Sequence, residues 1–311
     1  MADLFAGLVG QERALTFLRA ALERQRLAPA YLFCGPEGIG RRQAALRFLE
    51  GVLAGPQGSE SVRRRLAAGN HPDLLWVEPT YQHQGELVPA SEAVERGVSR
   101  RAPPQLRLEQ VRAVGGFLAR RPLEANRVLV VIEAVEAMAE GAANALLKTL
   151  EEPGGGLLLL LTAAPDRLLS TIRSRCQAIP FSRLDPLAMD EVLQALGSPA
   201  GAISEPPGLL ELAAGSPGAL LRHREQWNQL PEGLADRLLA LSSDPMEALA
   251  LARDLTEALD GEQQLWLLDW WQLQLWRRTA SIQRQRRLEQ LRSQLRAYVQ
   301  PRLAWEVALL G

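Results

Sequence analysis

The order of hydrophobic and polar positions divides the chain into two regimes. In "QERALTFLRAALERQR" (residues 11–26), Leu15, Leu18 and Leu22 recur at helical spacing with charges opposite, which predicts an amphipathic helix. "AYLFCG" is a short apolar run ending at glycine, read as a buried strand, and "RRQAALRFLEGVLAG" returns to a helix. The apolar runs in "HPDLLWVEP", "RVLVVI", "GLLLLLTAAP" and "QAIPF" predict further strands. Helical patterns lie between them in "LRLEQVRAVGGFLARRP" and "GAANALLKTLEEP". Short apolar strands alternating with helices predict a parallel sheet covered on both faces, an α/β domain over residues 1–183. The stretch 81–104 has no clear period and several Pro and Gly, and reads as a long surface insertion.

Beyond Pro186 the strand patterns stop. The remainder reads as helices with Gly/Pro breaks, an all-α region divided into a small helical domain over 184–226 and a second over 227–311. In the latter, "LWLLDWWQLQLW" gathers Trp266, Trp270, Trp271 and Trp276, a pattern expected of helical core. Leu288, Leu291, Leu295 and Tyr298 form a stripe on a later helix. Its other face carries Arg286, Arg287, Arg292 and Arg296, read as a solvated face.

The totals narrow the function classes. With 311 residues, 47% hydrophobic and a net charge of −1, the chain is of ordinary globular composition and shows no global basicity that would advertise nucleic acid. The longest apolar run, around Leu157 to Leu161, is too short for a membrane span. The opening "MADLFAGLVGQER" lacks a signal peptide's basic start and apolar run, so a cytoplasmic protein without membrane contact is expected. The two cysteines lie far apart, which gives neither a disulfide framework nor a metal site. Lys148 is the only lysine among 35 basic residues, so arginine stands where motifs often hold lysine.

That substitution matters in "CGPEGIGRRQ". A phosphate loop has the form G-x-x-x-x-G-K-[ST], with backbone N–H groups around the phosphates, a lysine on their oxygens and a hydroxyl on Mg²⁺. Gly35, Gly38 and Gly40 keep the loop, but Arg41 and Arg42 occupy the two chemical positions. Arginine is planar and bulky, and Arg42 puts a cation where a metal ligand belongs. The second nucleotide motif should be an apolar strand ending in Asp-Glu. "VLVVIEAVEAM" ends in Glu133-Ala134, and alanine cannot act as a base. Both failures predict a chain with no ATP hydrolysis of its own.

Other segments are intact. "LVGQERA", "LAPAYLFCGPEGIG", "NHPDLLWVEP", "LRLEQVRAV", "ANALLKTLEEP" and "TIRSRC" follow one another in an order that resembles the clamp-loader subunits of bacterial DNA polymerase III, a family of AAA+ proteins. The likeness runs through about 180 residues, counted on the sequence, and the broken loop resembles the family's non-hydrolysing members. It implies a RecA-like AAA+ sheet, a helical lid domain and a C-terminal helical collar. It implies membership of a hetero-pentameric ring with ATPase subunits and the clamp-opening subunit, acting on the sliding clamp and primed DNA. Carried over, the arginine of Ser174-Arg175-Cys176 is a finger that enters a neighbour's ATP site, and Thr162 is a sensor at a strand end. ATP and Mg²⁺ then belong to the partner, and no cofactor is expected on this chain. Two departures stand out. Residues 50–70 contain no cysteine where the family often carries a zinc module, so no zinc is expected. In "AAGSPGALL" (213–221), Gly218 and Ala219 stand where motor subunits present a second arginine.

Plainer readings stand beside these. Arg175 can be an ordinary ion-paired surface arginine, with Arg173 as a supporting charge. Lys148 can bridge to Glu151 or Glu152, or touch a ligand or DNA. His71 and Asp73, without metal partners at useful spacing, read as turn residues. At the level of the whole protein, two alternatives remain: an active ATPase motor of the same superfamily, or an interaction module outside replication.

Overall fold

The computed structural model describes residues 3–98, 102–199, 205–242, 244–297 and 299–310. The chain divides into two compact units: Met1–Arg96 with Pro104–Ala200 and Gly215–Gly218, and Gly97–Pro103 with Gly201–Ala214 and Ala219–Gly311.

Among the described residues the first unit has seven strands: β1 (Ala30–Cys34), β2 (Leu74–Val77), β3 (Thr80–His83), β4 (Glu86–Pro89), β5 (Leu129–Ile132), β6 (Leu157–Thr162) and β7 (Gln177–Pro180). Five form a parallel sheet in the order β2-β5-β6-β1-β7. Its helices are α1 (Glu12–Glu23), α2 (Arg41–Ala54), α3 (Glu60–Ala67), α4 (Leu108–Leu118), α5 (Glu140–Glu151), α6 (Ser170–Arg173) and α7 (Pro186–Ala195). The run Leu157–Leu161 is continuous because both faces of β6 are buried. Leu157, Leu159 and Leu161 share a core with Leu15 and Leu18 of α1 and Phe48 of α2. Leu158 and Leu160 share the opposite one with Val111 of α4 and Leu146 of α5.

Part of the expected 81–104 insertion is ordered as an antiparallel hairpin of β3 and β4, with Tyr81 and Val88 buried. Gln84 and Gly85 both have positive φ, 48° and 88°, as the tight hairpin turn requires. Gln-Gly is a weak turn signal and each strand has four residues, too few for a visible alternation. The remainder of that segment includes residues 99–101, which lie outside the described residues.

Two buried carboxylates brace this unit. Glu50 of α2 is fully buried and accepts hydrogen bonds from Ser59 N (2.9 Å), Arg63 Nε (2.9 Å) and Nη2 (3.1 Å), and Arg47 Nη1 (3.2 Å). This cluster ties α3 to α2 in the stretch where the resemblance would place cysteines. Asp73 accepts from the backbone N–H groups of Leu123 (2.6 Å), Glu124 (2.8 Å) and Ala125 (2.8 Å), pinning the segment that leads to β5. Burial works to raise the Asp73 pKa, but the three N–H donors outweigh it and hold the carboxyl below its ordinary value. The charged form therefore contributes stability above the unfolded value near 3.8 that is lost as pH falls through the lower folded value. Asp73→Asn is expected to cost about 1–2 kcal/mol at neutral pH. It should also flatten the acid limb of the stability profile in urea titrations; an unchanged limb would assign that limb to other groups.

The second unit contains α8 (Leu209–Ala213), most of α9 (Pro217–Asn228), α10 (Leu234–Leu239), α11 (Pro245–Ala258), α12 (Gly261–Thr279), α13 (Ile282–Arg296) and α14 (Pro301–Leu310). Its largest core side chains are Trp270 and Trp305, both 0% exposed. Their indole N–H groups donate to Pro207 O (3.0 Å) and Gln264 Oε1 (3.1 Å), so each polar edge is satisfied inside the core. Trp266 donates to His223 Nδ1 (2.9 Å), and burial lowers the His223 pKa in keeping with a neutral acceptor ring. Trp276 is largely exposed. Leu288 and Leu291 are buried, whereas Tyr298 lies outside the described residues. Among the described residues no helix is long and apolar enough to cross a membrane.

Candidate functional site

The glycine-rich turn between β1 and α2 keeps the backbone of a phosphate loop. Gly35 N donates to Thr162 O (3.1 Å) at the end of β6. A Cβ on Gly35 would stand 2.4 Å from Phe181 O, so only glycine fits that crossing. Gly40 precedes α2 with φ +98°, a left-handed conformation that favours glycine.

The side chains do not fit Mg²⁺-ATP. Arg42 Nη1 pairs with Glu133 Oε1 at 3.0 Å, and its guanidinium lies 4.9 Å from the centre of the Trp76 ring. The same Glu133 oxygen accepts from Trp76 Nε1 at 2.6 Å. The carboxylate that would hold the metal is thus engaged by a cation and an indole N–H of its own chain. Arg41 is half-buried, and its Nη1 has no hydrogen-bond partner among the described residues. Burial lowers the Arg41 pKa. Ala134 takes a left-handed conformation (φ 46°, ψ 51°), so the turn survives although the acidic side chain does not. Glu136 Oε1 accepts from Ala163 N (2.9 Å).

The loop's backbone is also engaged. Ser216 Oγ donates to Glu37 O (2.6 Å), and Gly218 N donates to Gly38 O (3.0 Å). A Cβ at Gly218 would stand 2.7 Å from Gly38 Cα, an approach open only to glycine. Gly218, where the resemblance would place a second arginine, is packed against the loop. Thr162 is buried, and its Oγ1 accepts from Ala164 N at 3.1 Å.

Arg175 lies apart from this arrangement. Parallel pairing sets Cys34, where the loop begins, opposite Pro180, and Tyr31 opposite Gln177. Arg175 therefore precedes the N-terminal end of β7, while the loop follows the C-terminal end of β1. Its Nη1 donates to Thr171 O (3.0 Å) and its Nη2 pairs with Glu151 Oε1 (2.9 Å). Those contacts use two of five N–H donors and leave the guanidinium partly exposed. Ser174 Oγ donates to Thr171 O at 3.2 Å. Cys176 is half-buried, and burial pushes its thiol up to about 12. Arg173 pairs with Asp166 (3.2 Å). Lys148 is exposed without an ion pair among the described residues, because Glu151 turns to Arg175. The resemblance singles out Arg175 but indicates neither its partner Glu151 nor Trp76 behind Arg42.

Residues 10–185 match the family model described as DNA polymerase III, delta subunit. Residues 187–311 match that of the cyanobacterial DNA polymerase III delta prime C-terminal domain. The chain is 38% identical over 226 residues to DNA polymerase III subunit delta' of Pseudomonas aeruginosa, a match covering 68% of this chain and 62% of that protein. The subunit delta' of Bacillus subtilis is 35% identical over 189 residues, 59% of this chain and 51% of that one. The chain thus spans about half to three-fifths of these relatives' lengths. The solved gamma subunit-related protein of Thermotoga maritima has a TM-score of 0.54 over 96% of this chain and 97% of its own, at 19% identity, a likeness of fold alone. The chain belongs to the delta and delta-prime family of DNA polymerase III subunits.

Proposed function

We propose that this chain is a clamp-loader subunit that does not hydrolyse ATP itself and that supplies Arg175 to the ATP site of a neighbouring motor subunit. One observation carries the reading: Glu133 is engaged by Arg42 and Trp76 of its own chain, and the loop carbonyls of Glu37 and Gly38 accept from Ser216 and Gly218, while Arg175 keeps free donors elsewhere. A guanidinium fork suits the charge that develops on a transferring phosphoryl group, because it offers parallel donors to equatorial oxygens. Contacts with Thr171 and Glu151 limit the orientations that fork must give up on docking.

The assembly would be a hetero-pentameric ring in the cytoplasm, loading the sliding clamp on primed DNA, with ATP and Mg²⁺ held by the motor subunits. Residues 184–226 would act as the lid and 227–311 as the collar. The collar reading is supported by Leu303, Val307 and Leu310 of α14, which recur at helical spacing on one face and are all exposed. The chain itself would carry neither nucleotide nor zinc.

The test is calorimetric titration of the chain alone with Mg²⁺-ATP, followed by hydrolysis assays of motor subunits with and without it. No binding heat and no turnover alone, with a raised rate in the assembly on primed DNA and clamp, is the expected result. Turnover by the isolated chain would make it a motor. No association with motor subunits would place it outside the clamp loader.

A further inference from the structure

The second compact unit holds a cleft of about 450 Å³ between its helices, adjoining the exposed face of α14 at Leu310. The apolar part of its wall is formed by Leu238 of α10, Trp271 and Leu275 of α12, Leu288 of α13 and Leu309 of α14. The volume is within the range of clefts that enclose an inserted apolar group. One polar group in the wall is stranded: Trp271 is buried, and its indole Nε1–H has no acceptor among the described residues. Buried indole N–H groups ordinarily find one, as Trp270 and Trp305 do in the same unit.

The cleft is also lined by cations: Arg278 of α12, and Arg284 and Arg287 of α13. Two other arginines of these helices are neutralised, Arg277 by Glu211 and Arg292 by Asp269 and Glu289. Those at the cleft are not. Arg278 donates to the carbonyl of Leu239 (3.0 Å), and Arg284 and Arg287 have no carboxylate partner among the described residues. The acidic residue in the lining, Asp244, is engaged in capping α11 through Met246 N (2.9 Å). Arg284 and Arg287 are three positions apart on one helix, so they stand side by side on one face.

We propose that this cleft binds a short acidic peptide segment of another protein. The segment would insert a large apolar side chain beside Trp271 and Leu288 and lay its carboxylates along Arg278, Arg284 and Arg287. Cations on two helices suit successive carboxylates better than a single headgroup, and the apolar half of the wall suits an anchor that a purely polyanionic chain lacks. Leu310, which lines the cleft and is half exposed, offers further apolar surface to such a chain.

Fluorescence anisotropy with the full chain tests this. The probe is fluorescein-labelled Asp-Glu-Asp-Phe-Leu-Asp-Glu, compared with versions carrying Lys for every acid and Ser for Phe-Leu. Saturable binding of the acidic apolar probe is expected, weakening with salt and absent for the lysine version. Arg284→Glu with Arg287→Glu should weaken it by roughly tenfold or more. Thr279→Trp, an exposed lining position, should weaken it by filling the mouth. Unchanged urea midpoints would verify that these variants are folded. No saturable binding, equal binding of the lysine version, or binding that survives charge reversal would each overturn the proposal. Equal binding of the serine version would reduce it to general attraction by a basic face, and overturn it too.

Discussion

Arg175→Ala is expected to slow hydrolysis at the neighbouring motor's site by roughly 10³–10⁵-fold, the range of trans arginine fingers in GTPases. In a full assembly the measured loss should be partial, because only one of several ATP sites would receive this finger. Single-turnover hydrolysis isolates the affected site better than the steady-state rate. The variant should fold and assemble, since the Arg175–Glu151 pair is partly exposed on both sides and such pairs contribute about 0–1 kcal/mol. Arg175→Lys should restore little, because an ammonium offers no planar fork. An assembled Arg175→Ala complex with unchanged single-turnover hydrolysis would make this chain a structural wedge whose Ser-Arg-Cys motif is inherited.

The second large effect concerns stability. Arg63→Ala should destabilise the first unit by about 3 kcal/mol, the low end of the cost of breaking a buried ion pair. The reason lies with the residue left behind. Glu50 is fully buried and receives two hydrogen bonds from Arg63, so the variant strands a carboxylate with only Arg47 and the Ser59 N–H. The low end applies because Arg63 is partly exposed and water can enter where it stood. Replacing Arg65, whose pair with Glu124 is exposed on both sides, should change little by comparison. Urea unfolding of the two variants distinguishes the cases. A loss below about 1 kcal/mol in Arg63→Ala would mean that Glu50 is rehydrated or protonated without strain.

Much of the candidate site was legible because its defects are local. Arg41 and Arg42 follow Gly40 directly, and Ala134 follows Glu133, so adjacency alone exposes the lost lysine, hydroxyl and acid. Ser174-Arg175-Cys176 is likewise contiguous. Trp76 was visible only as part of an apolar strand, and its contact with Arg42 and Glu133 depends on the pairing of β2 with β5. Glu50 reads in sequence as one more charge on a helix. Nothing in its spacing indicates that α3 folds back to bury it. The hairpin of β3 and β4 was missed because four-residue strands joined by Gln-Gly leave too short a pattern.

The sequence by itself determined the alternation of strands and helices, the glycine loop and the two arginines that follow it. These are properties of neighbouring residues and of short periods, which backbone sterics and side-chain patterning fix locally. Only the tertiary structure decided what each of those features meets: Arg42 on Glu133, Gly218 against Gly38, Glu151 beneath Arg175, and the unneutralised arginines along the cleft. Each joins residues distant in the chain, and strand register and helix packing choose such partners, which no local spacing records.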